Sequence, residues 1–338
     1  MDITKLRQYE QDGLLYCQSH PVHPLLIWNY SPRVQYEQLW DEITLIARGL
    51  VTDLDGNIVS SGFPKFFNIE ENRHIPTDEF EIFEKLDGQY IGVFWYNGEM
   101  IVNSRGSFTS PYALEAKRIL DEKYPALKLY LPNWISFCFE LIGFEQIVVS
   151  YPEPDLVLTG MFNRENLLDL NLKGNELYLR GTGLQVVKKY SGLDYKNIKQ
   201  LNWQNSEGFV VRFSNGDRCK IKFEDYIKLH RQMTNLSTTA IWEALMEGKP
   251  VSSILSDVPD EFYTKVHEYE HKLKSEYECW ENHCRSLYDS FSSSIQSRSI
   301  FAECAKKTNC SGILFAMLDG KDYSKQIWKL IKPNFEKI

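Results

Sequence analysis

The sequence changes its period once. From Ala47 to Phe223 short apolar runs alternate with turn pairs; beyond about Tyr226 those signals stop and apolar residues recur at threes and fours. Asp55-Gly56, Asn97-Gly98 and Asn215-Gly216 each sit between apolar runs, the pattern of β-hairpins over residues 47–59, 89–103 and 207–223. Leu172 to Leu179 is a further hairpin candidate. Tyr112 to Tyr124 has helical spacing, and Trp134 to Ile142 is a nearly continuous apolar run that suits a buried central strand. Ahead of these lie a short helix at Thr4 to Gln11 and a stretch carrying Pro21, Pro24 and Pro32. On the far side, Phe262, Val266, Tyr269, Leu273, Tyr277, Trp280, Cys284, Leu287 and Phe291 mark one long amphipathic helix. Ser292 to Ser299 reads as a loop, and Gly312 to Leu318 and Tyr323 to Ile331 as shorter helices. The expectation is an α+β chain: a unit over 1–235 of mainly antiparallel sheets with packed helices, then an all-α unit over 236–338.

Composition narrows the class. With 43% hydrophobic and 25% charged residues, the 338-residue chain has the make-up of a globular protein with ample core. The net charge of −8 argues against a protein that coats nucleic acid, while leaving room for a local basic groove. Seven cysteines, an odd number scattered from Cys17 to Cys310, do not make a disulfide framework. Cys279, His283 and Cys284 are too few for a zinc site. No apolar run is long enough to span a bilayer and no charged-then-apolar leader opens the chain, so the expected location is cytoplasmic, with no membrane partner.

Chemistry concentrates in six clusters. They are Arg48-Gly49; Pro64-Lys65-Phe66-Phe67-Asn68; Phe83-Glu84-Lys85-Leu86-Asp87-Gly88; Ser104-Arg105-Gly106-Ser107; Phe139-Glu140; and Glu207-Gly208 through Arg212, followed by Lys220-Ile221-Lys222. Each has an ordinary structural explanation alone: a turn lysine, a core ion pair, a solvated strand face. Two features resist it. Glu140 lies within Phe137, Cys138, Phe139, Leu141 and Ile142, and a buried carboxylate is costly unless a charged or hydrogen-bonding group meets it. Lys220 and Lys222 alternate with Ile221, so on a strand both project from one face, where an anion such as phosphate would relieve their repulsion.

The order of these clusters resembles the covalent nucleotidyltransferases, the ATP-dependent ligases and mRNA capping enzymes. Ala47-Arg48-Gly49, the Pro-Lys-Phe-Phe-Asn element and Ser-Arg-Gly-Ser narrow the resemblance to the bacteriophage T4 RNA ligase 1 family, over Arg48 to Tyr226. The resemblance implies an ATP-dependent RNA ligase, with Lys85 as the nucleophile that becomes lysyl-AMP. Its substrates would be RNA 3′-hydroxyl and 5′-phosphate ends, a nicked tRNA among the candidates, with a separate end-healing kinase-phosphatase as a possible partner. Magnesium or manganese is expected with the triphosphate. The motifs do not by themselves choose ATP over GTP.

By the same resemblance, Lys220 and Lys222 would hold the α-phosphate, Glu207 a divalent metal, and Glu140 the ribose hydroxyls or a metal-bound water. Arg48 and Lys65 would hold the pyrophosphate, Phe67 would pack against the nucleotide pocket, and Arg105 would contact the ribose or the RNA end. Asp87 would fix the loop or a metal-bound water, Gly88 would let the backbone approach the nucleotide, and Glu84 would sit beside it. Phe162 is a candidate for stacking on adenine, among several aromatics, and Tyr226 either touches the pocket or packs in the core. DNA ligases and capping enzymes follow the Lys-x-Lys strand with an OB-fold of short alternating strands. Helical spacing follows it here, which favours RNA ligation and a helical unit that selects the RNA or simply caps the first. The alternatives are a DNA nick-sealing ligase and a non-catalytic nucleotide- or RNA-binding relative.

Overall fold

The computed structural model describes residues 1–71, 79–145, 148–170, 172, 182–233, 236–255, 262–294 and 297–336. The chain divides into two compact units, Met1–His230 and Arg231–Ile338. The boundary expected at residue 235, and the hairpin expected over 172–179 beyond Leu172, lie outside the described residues.

Unit one opens with α1 (Ile3–Gln11), started by the Asp2 side chain accepting from the Thr4 N–H. A four-stranded antiparallel meander follows: β1 (Leu15–Ser19), β2 (Leu25–Tyr30), β3 (Arg48–Asp53) and β4 (Ile58–Ser60). Two short helices, α2 (Pro32–Tyr36) and α3 (Glu42–Ile46), bridge β2 to β3, the second opened by an Asp41/Thr44 capping box. Both faces of β2 are covered. Leu26 and Trp28 pack on Leu6 and Val34, while Leu25 and Ile27 pack on Phe94 and Ile101. A strand sealed on both sides shows no alternation, which is why this hairpin is absent from the sequence reading.

The second and third sheets are interleaved along the chain. Their strands are β5 (Phe67–Asn68), β6 (Phe80–Lys85), β7 (Gln89–Tyr96), β8 (Glu99–Ser104), β9 (Ile135–Ile142), β10 (Asp155–Asn163), β11 (Asp169–Leu170), β12 (Gln185–Val186), β13 (Lys189–Tyr190), β14 (Gly208–Phe213) and β15 (Arg218–Lys222). One sheet has the order β11-β10-β9-β7-β8, with β12 beside β10; the other is β13-β6-β14-β15-β5. Pairing is antiparallel except for β10 with β12 and β15 with β5. The β7–β8 turn puts Asn97 at φ +49° and Gly98 at φ +80°, the left-handed pair that a two-residue hairpin requires. The helix expected after it is α4 (Pro111–Glu122), whose Ala116, Ile119 and Leu120 pack on Phe137, Phe139 and Leu158 of the sheet.

After β15 the described elements are helical: α5 (Glu224–Met233), α6 (Thr238–Met246), α7 (Tyr263–Ser294), α8 (Arg298–Ala305), α9 (Ser311–Leu318) and α10 (Ser324–Leu330), with a 3₁₀ turn at Val251–Ile254. In unit two, Cys284 and Leu287 of α7 pack on Phe301, Ile313, Leu314 and Ile327. The loop expected over Ser292–Ser299 is corrected: the helix runs on to Ser294. The Ser292 hydroxyl donates back to Tyr288 O and the Ser293 hydroxyl to Ser290 O, so these serines are satisfied within the helix they were expected to end. Among the described residues no helix is long and apolar enough to cross a membrane.

Candidate active site

The site grows out of the pleat of the third sheet. Ile82, Phe209, Val211, Cys219 and Ile221 alternate onto one face and are fully buried in a common core. The opposite face therefore carries three rows that cross β6, β14 and β15 in register. The first is Lys85–Gly208–Lys222, the second Phe83–Val210–Lys220, the third Glu81–Arg212–Arg218. Lys220 and Lys222 share a face opposite Ile221, as their spacing requires. Lys85, placed by sequence at the mouth of an apolar strand, is the last residue of β6.

Glu207, the residue before β14, ties the first row together. Its Oε2 lies 2.7 Å from Lys85 Nζ and its Oε1 3.4 Å from Lys222 Nζ, with only 4% of the side chain exposed. Burial alone would push this carboxyl up; Lys85 and then Lys222 outweigh that and hold it below the usual carboxylate range. Gly208 makes the arrangement possible. It has φ +146°, and a Cβ there would lie 2.0 Å from Ile221 O.

The loop after Lys85 is latched by Asp87. Its carboxylate accepts from the Val149 N–H at 2.9 Å and from the Tyr226 hydroxyl at 3.0 Å, and its own N–H donates to the Tyr151 hydroxyl at 3.1 Å. Tyr226, on α5, therefore acts on the site through Asp87, with the Lys222 ammonium 5.6 Å from its ring centroid. Gly88 lies where a Cβ would meet Leu141 O at 2.4 Å and Glu140 Cγ at 2.9 Å. The glycine lets the loop after Lys85 close down on β9.

Glu140, on β9 opposite Tyr90, lines the same pocket as Lys85. Burial pushes its carboxyl up to about 7, with Lys85 opposing the rise. The neutral form is thus favoured in the folded chain: the stability it contributes is full at acid pH and is lost as the pH climbs from the ordinary carboxylate range through about 7. Glu140→Gln is accordingly expected to melt close to the wild type at pH 5 and above it at pH 8. Thermal melts at the two pH values check this; equal differences at both would contradict the assignment.

The structure places the remaining expected residues unequally. Arg48 lines the pocket with its guanidinium 5.3 Å from the Tyr90 ring centroid, and Glu84 also lines it. Lys65 and Phe67 line an adjoining pocket instead, where Lys65 Nζ stands 5.4 Å from the ring centroids of both Trp40 and Phe67. Arg105 is exposed, its guanidinium over Tyr30. Phe162 is 97% buried, since its exposure is 3%, and packs edge-on to Phe63. It is Phe63 and Phe66 that face the pocket. Gly160 makes room for Phe63, for a Cβ there would lie 2.3 Å from the ring.

Sequence reasoning missed Tyr90, Tyr151, Asp169 and Arg218. Only Arg218 left a signal, the period-two series Arg218-x-Lys220-x-Lys222. Among the described residues no group of three or more His, Cys, Asp or Glu side chains could hold a metal by itself. A hard cation at Glu140 or Glu207 would therefore need substrate phosphates to complete its ligands.

A lysine–glutamate pair, a second cation on the same strand face and an aromatic-walled pocket thus come together here. Residues 46–233 match the RNA ligase family, and the chain belongs to that family. It is 24% identical over 404 aligned positions to the RNA ligase of Rhodothermus phage RM378, covering 93% of this chain and 90% of that one. It is 25% identical over 263 residues to a protein of Autographa californica nuclear polyhedrosis virus named as a bifunctional polynucleotide kinase/RNA ligase, covering 67% of this chain. The match takes in 36% of that viral protein's length. Among solved structures, an archaeal ATP-dependent RNA ligase superposes with a TM-score of 0.49 at 14% identity, over 81% of this chain and 79% of that one.

Proposed function

We propose that the protein joins RNA 3′-hydroxyl and 5′-phosphate ends with ATP, through a nucleotide held covalently on Lys85. The observation that carries this reading is the contact of Lys85 Nζ with Glu207 at 2.7 Å, beside Lys222, at the end of the pocket. Lys85 would attack the α-phosphorus of ATP; the N–P bond forms, the bond to pyrophosphate breaks, and pyrophosphate leaves with the electron pair. The RNA 5′-phosphate oxygen would then displace the lysine, taking AMP. Finally the 3′-hydroxyl would attack the adenylylated phosphate, forming the phosphodiester and releasing AMP. Lys85 has to lose its proton before it attacks.

Each residue has a place in that sequence. Lys222 and Lys220 would neutralise the α-phosphate oxygens, and Arg48, across the pocket, the departing phosphates. Asp87 and Tyr226 would hold the nucleophile loop, and Phe63 and Phe66 would wall the base. Lys65 and Arg105, outside this pocket, would serve the outer phosphates or the RNA end. A divalent cation at Glu207 and Glu140, magnesium or manganese, supplies charge neutralisation for the triphosphate when bound. The helical unit after β15 supports RNA over a DNA nick as substrate and would help select it. A kinase-phosphatase acting elsewhere would prepare the ends.

The test is a competition. Purified protein with ATP and magnesium is given 5′-phosphorylated RNA and DNA strands of one sequence, as nicks and as single strands. The expected result is joining of RNA ends with little joining of DNA. Preferential sealing of the DNA nick would replace the RNA reading by the DNA one.

A further inference from the structure

The third row of the strand face, at the opposite end of the pocket from Lys85, is charged as well. Asp169 reaches it from β11: its Oδ2 accepts from Arg212 Nε at 2.8 Å and from Arg218 Nη2 at 2.7 Å. Glu81 accepts from Arg212 Nη1 at 3.2 Å and from Lys189 Nζ at 2.5 Å. Glu81, Asp169, Arg212 and Arg218 all line the pocket. A network of ion pairs would explain the pairing but not the remaining capacity. The second Asp169 oxygen, Oδ1, has no hydrogen-bond partner among the described residues and is not sealed from solvent. Arg212 still has N–H donors to spare, since a guanidinium carries five.

The pocket thus has an order. At one end stands Lys85, paired with Glu207 and in the same row as Lys222; Phe83, Val210, Leu170 and Val187 fill the middle; the acid–arginine row closes the other end. Four residues along β6 set the end rows about 13 Å apart at the usual strand rise. A nucleotide presents the same order: phosphate, apolar ring faces, then a ring edge of donors and acceptors.

We propose that Asp169 and Arg212 read the base. Asp169 Oδ1 accepts a hydrogen bond from the exocyclic 6-amino group of adenine, and Arg212 donates to a neighbouring ring nitrogen. An acceptor and a donor side by side match the adenine edge, as a carboxamide does in nucleic-acid readout. Guanine would bring a carbonyl oxygen against the carboxylate. The inference rests on the ligase reading and adds to it the residues that choose ATP over GTP.

The experiment measures labelling of Lys85 by α-³²P-labelled ATP, GTP and purine riboside triphosphate, which lacks the 6-amino group. With the wild type, purine riboside triphosphate is expected to need about tenfold more nucleotide than ATP for half-maximal labelling, the scale of one lost pair. Asp169→Asn, which offers an amide N–H where the carboxylate stood, is expected to lower the ATP-to-GTP preference about tenfold while label still reaches Lys85. Equal labelling of the wild type by all three nucleotides overturns the inference and leaves the ligase reading standing. So does an Asp169→Asn protein that melts normally yet keeps the full preference, or weakens ATP and GTP alike. If Asp169→Asn fails to fold, the wild-type series decides alone. No label from any nucleotide takes down both readings.

Discussion

Glu207→Gln is expected to slow transfer of AMP to Lys85 at least about 100-fold and to lower stability by about 3 kcal/mol at pH 7, the scale for removing one partner of a buried ion pair. The carboxylate stands between two ammonium groups, and the glutamine left in its place cannot neutralise either. Lys85 and Lys222 would repel, and Lys85 would lose the contact that aims it. The pH signature follows from the direction of the shift. Lys85 and Lys222 hold the Glu207 carboxyl below its ordinary range against the cost of burial, so its contribution is present above the unfolded carboxylate pKa. It is lost as the pH falls through the depressed folded value. The gap between wild type and variant, measured by urea unfolding, should therefore narrow in acid. Glu140→Gln should behave oppositely, with its gap opening as the pH rises. A Glu207→Gln protein that labels at the wild-type rate would remove this residue from the chemistry.

Gly208→Ala is expected to cost about 3 kcal/mol or more, combining overpacking with a backbone conformation that L side chains rarely adopt. The added Cβ would lie 2.0 Å from Ile221 O and 2.9 Å from Lys222 Cα. Both are backbone atoms of β15, so relief requires that strand to move. Gly208 pairs with Lys85 on one side and Lys222 on the other, and the strand that moves carries Lys222 away from Glu207. Stability and labelling should fall together, with the mid-point of urea unfolding the readout for the first. Unchanged unfolding would show that the hairpin yields more easily than this packing implies.

The hairpins with Asn-Gly turns, the buried strand at Ile135–Ile142 and the long helix were legible because turn chemistry and period are local properties. β6 was not: Phe80-Glu-Ile-Phe-Glu-Lys85 mixes charge with apolar residues and reads as a turn-rich approach. Its pleat makes sense only beside β14, where Glu81 meets Arg212 and Lys85 meets Gly208. The same holds in the site. Glu140 stood out as a carboxylate inside an apolar run and Lys220 and Lys222 as two cations on one strand face, whereas Lys85 and Glu207 came from the order of motifs that carries the family resemblance. Asp169 is an ordinary loop-edge aspartate until β11 delivers it onto the arginines of another sheet. Phe162 was chosen for adenine by position alone, whereas tertiary packing gave the pocket wall to Phe63 and Phe66.

The central claim is a covalent nucleotide on Lys85. Purified protein incubated with α-³²P-labelled ATP and magnesium, beside Lys85→Ala, and resolved on a denaturing gel tests it directly. An acid-labile label on the wild-type chain and none on the variant is the predicted result. Label of equal strength on Lys85→Ala, or no label on the wild type with either magnesium or manganese, would contradict it.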